Sequence, residues 1–199
     1  MRIFTRFILL FAVTLCSVGA KAVTANFTAD VIAGCSPLVV HFTNTSSGAT
    51  TYSWDLGNGT TSGLTDVSGS YTSPGTYVVT LVAGNGSSTS THTVTITVYP
   101  LPTVSFTATD TSVCPGSPVT FTSTSIGGVP GPMTYSWNFG DGSSSTLATP
   151  THTFGSPGYY NITLSVTNAQ GCTKSLTIPS YVHIFNPPVP NFATPAPYI

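Results

Sequence analysis

Residues Tyr135 to Gly142 read YSWNFGDG, and residues Tyr52 to Gly59 read YSWDLGNG. Each is followed at a fixed distance by a second shared phrase. SPGTYVVTLVA, Ser73 to Ala83, follows the first, and SPGYYNITLSV, Ser156 to Val166, follows the second. Tyr52 to Tyr135 and Gly75 to Gly158 are both offsets of 83 residues. Two phrases repeated at one offset make an internal duplication. Each long phrase also alternates. Tyr160, Ile162, Leu164 and Val166 lie on one face, and Asn161, Thr163 and Ser165 on the other, as do Tyr77, Val79, Leu81 and Ala83 against their neighbours. A period of two means a strand with one core face and one wet face.

The composition agrees with an all-β chain. Of 199 residues 40% are apolar, 11% aromatic and 5% charged, with 19 Gly and 16 Pro. There is no Glu, and Lys occurs only at Lys21 and Lys174, so good helix formers are scarce. Thr, Val, Tyr and Phe favour strands, and Gly, Pro, Asn and Ser favour turns. Low charge without low hydrophobicity does not describe a disordered chain.

Arg2 and Arg6 precede an apolar run from Phe7 to about Cys16, and Ala20-Lys21-Ala22 supplies small residues. This is the layout of a secretory leader cleaved after Ala22. The apolar run is shorter than the roughly 20 residues that span a bilayer. Without residues 1–22 the chain keeps one Lys against five Asp, a net charge of −4. No basic surface remains for nucleic-acid phosphates or an anionic membrane, so neither is an expected partner.

The duplication divides the rest. The leader covers residues 1–22, copy one residues 23–99, a proline linker 100–102 and copy two 103–185. Residues 186–199 repeat the proline joint and then open like a further copy at Asn191-Phe192-Ala193, so the chain is expected to be the front of a longer secreted protein. The prolines make each joint an extended spacer rather than a swivel. About seven short strands per copy predict two tandem immunoglobulin-like antiparallel β-sandwiches. Trp54 and Trp137 are expected to pack between the sheets, and Tyr77 and Tyr160 to tie down a corner through their hydroxyls. Gly57-Asn58-Gly59 and Gly140-Asp141-Gly142 are tight-turn signals, because Gly and Asn tolerate positive φ.

Export leaves Cys35, Cys114 and Cys172, an odd number. Cys35 and Cys114 are equivalent, each seven residues before a Phe, while copy one has Ser87 where copy two has Cys172. The repeat therefore predicts a within-copy disulfide Cys114–Cys172. Cys35 is left as a small buried thiol, or pairs with another chain or with a cysteine past residue 199.

The pattern W-x-F/L-G-D/N-G followed by S-P-G-x-Y-x-V/I-x-L-x-V resembles the PKD (polycystic kidney disease) domain. In copy two Trp137, Phe139, Gly140, Asp141, Gly142, His152, Phe154, Gly158, Tyr160, Leu164, Val166 and Asn168 fall on it. Copy one keeps Trp54, Gly57, Gly59, Gly75 and Tyr77, but has Leu56 for the aromatic, Asn58 for Asp and Gly69-Ser70-Tyr71 for His152-Thr153-Phe154. The resemblance implies an extracellular spacer or interaction and adhesion module, often in arrays and attached to secreted hydrolases. It implies no active site.

The sequence carries no catalytic motif either. H-E-x-x-H, G-x-S-x-G, C-x-x-C and phosphate-loop motifs are missing. His41, His92, His152 and His183 are scattered. His152 is read as a hydrogen-bonding turn residue, and Asp141 as a backbone N–H acceptor in its own turn. Some modules of the resembled family bind calcium, for which Asp110 and Asp141 are the candidate ligands here, but a calcium site takes six to eight oxygens. The expectation is a non-catalytic, cofactor-free, monomeric module, secreted or at the cell surface. The alternative is an accessory module of a secreted hydrolase or protease that binds carbohydrate or matrix through tyrosines such as Tyr52, Tyr135 and Tyr159. An aromatic strip on one sheet would favour the alternative, and wet Ser/Thr faces the spacer.

Overall fold

A computed structural model describes residues 22–186. All of the expected leader but its last residue, and the opening of a further copy at Asn191, lie outside them. No helix among the described residues is long and apolar enough to cross a membrane.

Both copies build the same two-sheet module. In the first, β1 (Phe27–Ala29), β3 (Leu38–Asn44) and β6 (Val67–Tyr71) form one sheet in the order β1-β3-β6. Its partner sheet runs β2-β8-β7-β4-β5, from β2 (Ala33–Cys35), β8 (Thr89–Tyr99), β7 (Gly75–Gly84), β4 (Thr51–Asp55) and β5 (Thr61–Ser62). In the second, β9 (Phe106–Ala108), β11 (Pro118–Ser123) and β14 (Thr151–Thr153) form the small sheet in the order β14-β11-β9. The large sheet is β10-β16-β15-β12-β13, from β10 (Ser112–Val113), β16 (Thr173–Ile184), β15 (Gly158–Thr167), β12 (Thr134–Asn138) and β13 (Ser144–Ser145).

Each module thus has eight strands where the periodicity predicts about seven. The first strand is split. β1 pairs antiparallel with β3, and after a short turn β2 crosses to the other sheet and runs parallel to the end of β8. β9 and β10 repeat the manoeuvre against β11 and β16. Three residues are too few for alternation to show in a sequence, so this switch has no periodic signature.

The alternating phrases become the inner faces. Val79, Leu81 and Ala83 on β7, and Ile162, Leu164 and Val166 on β15, are fully buried. Trp54 and Trp137 fill the space between the sheets. Phe27 packs edge-on to Trp54 at 4.9 Å, and Phe106 edge-on to Trp137 at 5.2 Å. Each indole Nε1 needs a partner when buried. Trp54 donates to Leu64 O at 2.9 Å and Trp137 to Leu147 O at 2.8 Å. Tyr77 and Tyr160 are half-buried, and their hydroxyls reach back four residues to Ser73 O (2.7 Å) and Ser156 O (2.8 Å). The two modules therefore close by the same local bonds.

The disulfide expected within copy two is not formed. Cys172 bonds Cys35 of the other module, across 137 residues of sequence, with Cα atoms 5.6 Å apart. Cys114 is free and exposed. The reason is strand length. β10 lies beside the end of β16, with Val113 opposite Ile184, whereas Cys172 precedes the first residue of β16. Eleven steps along a strand separate the two ends by roughly 36 Å, and a disulfide needs Cα atoms within roughly 7 Å. Cys35 faces Tyr99 at the end of β8, where the chain leaves module one. The β15–β16 turn carrying Cys172 lies at the end of module two that receives the linker, because Asn168 Nδ2 donates to Pro100 O at 3.0 Å.

Candidate functional site

The Gly-Asp-Gly turn of module two is held by its own side chains. Asn138 Oδ1 accepts the Gly140 N–H at 2.8 Å, and Asp141 Oδ1 accepts the Ser143 N–H at 2.9 Å. The Ser143 hydroxyl donates to the same Asp141 Oδ1 and lies 3.1 Å from His152 Nε2. His152 Nε2 is also 2.7 Å from Asp141 Oδ2. The imidazole stacks on Phe139 at 4.3 Å and meets Phe154 edge-on at 4.6 Å.

Ser, His and Asp therefore meet, but not as a nucleophilic triad. That chemistry needs Asp on one ring nitrogen and Ser on the other, so that the base can take the serine proton. Here a single nitrogen faces both, and the Ser143 proton is committed to the carboxylate. The cluster locks a turn. Partial burial alone would raise the Asp141 carboxyl, but the Ser143 bonds and the His152 imidazole outweigh it and hold the group below its ordinary value. A depressed carboxylate stabilises the fold fully above its unfolded pKa, about 3.9, and loses that contribution as pH falls through the lower folded value. Melting of module two is thus expected to fall more steeply below about pH 4 than melting of Asp141→Asn. Equal acid slopes in thermal melts would remove this role.

Module one reaches the same turn by compensated replacements. Asn58 Oδ1 accepts the Thr60 N–H at 3.0 Å, while Asn58 Nδ2 donates to Ser70 O at 3.0 Å. Where module two has the His152 ring, Gly69 leaves room. A Cβ there would lie 3.1 Å from Tyr71 Cε2 and 3.2 Å from Leu56 Cδ1. The Tyr71 hydroxyl occupies the space and donates to Leu56 O at 3.0 Å. Burial, with Tyr77 beside it, pushes Tyr71 up to about 12.

Asp110 sits in the turn before β10 and accepts the Ser112 N–H at 3.1 Å. It shares no bond with Asp141. No group of three or more His, Cys, Asp or Glu side chains that could hold a metal occurs among the described residues. His41 bonds Ser68 Oγ at 2.7 Å, on the rim of a shallow depression shared with Leu64 and Asp66. His92 packs edge-on to Phe27 at 5.1 Å. Neither lies near His152 in the sheets.

Tyr52 and Tyr135 pack against their cores. Tyr159 instead is 67% exposed, and its ring stacks on His183 at 4.2 Å, which in turn lies 4.5 Å from Phe185. Further along, the same face of β15 and β16 carries hydroxyls. Thr163–Thr177, Ser165–Ser175 and Thr167–Thr173 pair across β15 and β16 at 2.7–2.8 Å.

The feature that sequence reasoning missed is the joint. Asn168, 4% exposed, donates through Nδ2 to Pro100 O and to Gly127 O (2.9 Å) and accepts the Cys172 N–H at 3.0 Å. No local signal marked it, because Cys35 reaches the end of β8 only through the parallel pairing of the three-residue β2.

Profiles described as PKD domain match residues 13–98 and residues 100–184. The chain belongs to the PKD domain family. Its two PKD domains are in tandem. Over 41 residues it is 54% identical to a microbial collagenase of Vibrio alginolyticus, covering 21% of this chain and 5% of that protein. Over 39 residues it is 49% identical to the collagenase ColA of Bacillus cereus, covering 20% of this chain and 4% of that protein. The chain thus spans about a twentieth of the length of these relatives. It is 37% identical to the crystallised PKD1 domain of the Vibrio cholerae metalloprotease PrtV, covering 39% of this chain and 98% of that domain, with a TM-score of 0.34.

Proposed function

We propose that the tandem is a rigid, non-catalytic extracellular spacer and interaction array within a larger secreted or cell-surface protein. The observation that carries this reading is the joint. A proline linker alone leaves two domains some freedom. Here a disulfide, a buried Asn168 and the tucked Pro100 all cross the same point. Such a clamp suits a protein that must hold its ends at a set distance. A disulfide also fits the oxidising exterior, as do the leader-like first 22 residues. Relatives that are collagenases support a place beside a secreted enzyme.

The test is small-angle scattering of the tandem and of Cys35→Ser/Cys172→Ser. The natural chain is expected to fit one inter-domain orientation. The double variant is expected to show a larger maximum dimension and a spread of orientations, while its domain melts stay nearly in place, since the bond joins separately folded cores. Identical scattering from both would overturn the clamp.

The exposed Tyr159–His183–Phe185 stack favours a second reading, an accessory module that binds matrix or polysaccharide. Retention on insoluble collagen or polysaccharide that Tyr159→Ala abolishes would select it.

A further inference from the structure

The two domains share one topology, so each position at the end of the first has a counterpart at the end of the second. β2 runs beside the end of β8 with Gly34 opposite Val98 and Cys35 opposite Tyr99. β10 runs beside the end of β16 with Val113 opposite Ile184, and the Phe185 N–H donates to Val113 O at 3.1 Å. Cys114 follows Val113 and so stands to Phe185 as Cys35 stands to Tyr99. Tyr99 and Phe185 each immediately precede a proline-rich joint, Pro100-Leu101-Pro102 in one case and Asn186-Pro187-Pro188 in the other.

At the first end this arrangement is already occupied. The β15–β16 turn, Asn168-Ala169-Gln170-Gly171-Cys172, delivers its cysteine to Cys35, and its asparagine to the linker carbonyl. At the second end the same cysteine is exposed and free, and Phe185, counterpart of the half-buried Tyr99, is 45% exposed.

We propose that Cys114 is half of a second inter-domain disulfide, whose other half is the cysteine of an Asn-x-x-Gly-Cys turn in a further PKD domain seated on the β10–β16 end. A second copy of this chain does not fit, because its Cys172 is consumed by its own Cys35. The bond forms by thiol–disulfide exchange with a disulfide oxidant. The two thiols lose two protons and two electrons to become one S–S bond, and the oxidant's disulfide is reduced to two thiols. The proposal deepens the spacer reading, but it fails separately. Scattering tests the first joint, and thiol mapping tests the second.

The experiment appends a copy of residues 100–186 directly after Phe185 of the full chain, then traps thiols with iodoacetamide and maps disulfides without reduction. The expected result keeps Cys35–Cys172, joins Cys114 to the appended copy's counterpart of Cys172, and leaves the appended counterpart of Cys114 as the one alkylated thiol after residue 22, Cys16 of the leader segment being counted apart. If Cys114 and the appended turn cysteine are both alkylated while the appended domain melts cooperatively, the proposal is wrong. Mapping the protein secreted by its own host gives the second measurement. Cys114 recovered in a cross-link to an Asn-x-x-Gly-Cys peptide supports the proposal, and Cys114 recovered free or joined to any other sequence overturns it.

Discussion

Trp137→Ala is expected to remove roughly 3–5 kcal/mol from the second PKD domain, the range for deleting a large buried aromatic. Trp137 is 1% exposed and packs against Phe106, Phe121 and Phe139 at ring distances of 5.2, 5.7 and 6.3 Å. Alanine leaves a cavity between two sheets whose strand ladders keep them in place, so collapse offsets little of the loss. The Leu147 carbonyl also loses its indole donor. A domain of this size has roughly 5–15 kcal/mol in total, so the variant should sit near its unfolding threshold. Urea titration separates the two domains. Trp54 remains as the fluorophore of the first, whose midpoint should hold, while circular dichroism should show an earlier transition for the second. Trp137→Phe keeps most of the contact area and should lose less than half as much. A loss below about 1 kcal/mol for the alanine variant would mean that the indole is not the centre of the core.

Gly140→Ala is expected to cost roughly 2–4 kcal/mol, from a left-handed backbone and a backbone collision together. Gly140 has φ of 80°, and a Cβ there would lie 2.7 Å from Asn161 O and 3.2 Å from Asn161 N. Those atoms belong to β15, which cannot retreat without pulling on β12 and β16. Gly142, two residues on in the same turn, is the control. Its φ is 92°, but nothing lies within 4 Å of the added carbon. Gly142→Ala should therefore cost only the conformational part, roughly 1 kcal/mol. The first domain repeats the contrast, with Gly57 2.6 Å from Val78 O and Gly59 in open space. Chemical denaturation of the four variants checks it. Equal losses at Gly140 and Gly142 would show that φ alone governs the motif.

The sandwich and its motifs were legible because they rest on local rules. Alternation placed Val79, Leu81, Ile162 and Leu164 inside, since a strand's side chains must alternate. Gly-Asn-Gly and Gly-Asp-Gly announced turns, since few residues reach positive φ. The tyrosine at the start of β7 or β15 reaches a carbonyl only four residues back. The duplication told which residues were equivalent. It also misleads, because equivalence between copies does not say which cysteines meet, and the bond formed is Cys35–Cys172.

What the tertiary structure decided was contact across the ends of strands. Cys114 and Cys172 belong to one module, but β16 is twelve residues long and holds them at opposite ends. Cys35 and Cys172 belong to different modules, and the linker brings those ends together. In the same way Leu56, Gly69 and Tyr71 read as scattered departures from a motif until packing shows one hydroxyl filling the place of an imidazole. Periodicity and turn chemistry act over a few residues and are written in the chain. Disulfide pairing and space-filling depend on distances between elements, which exist only once both sandwiches have closed.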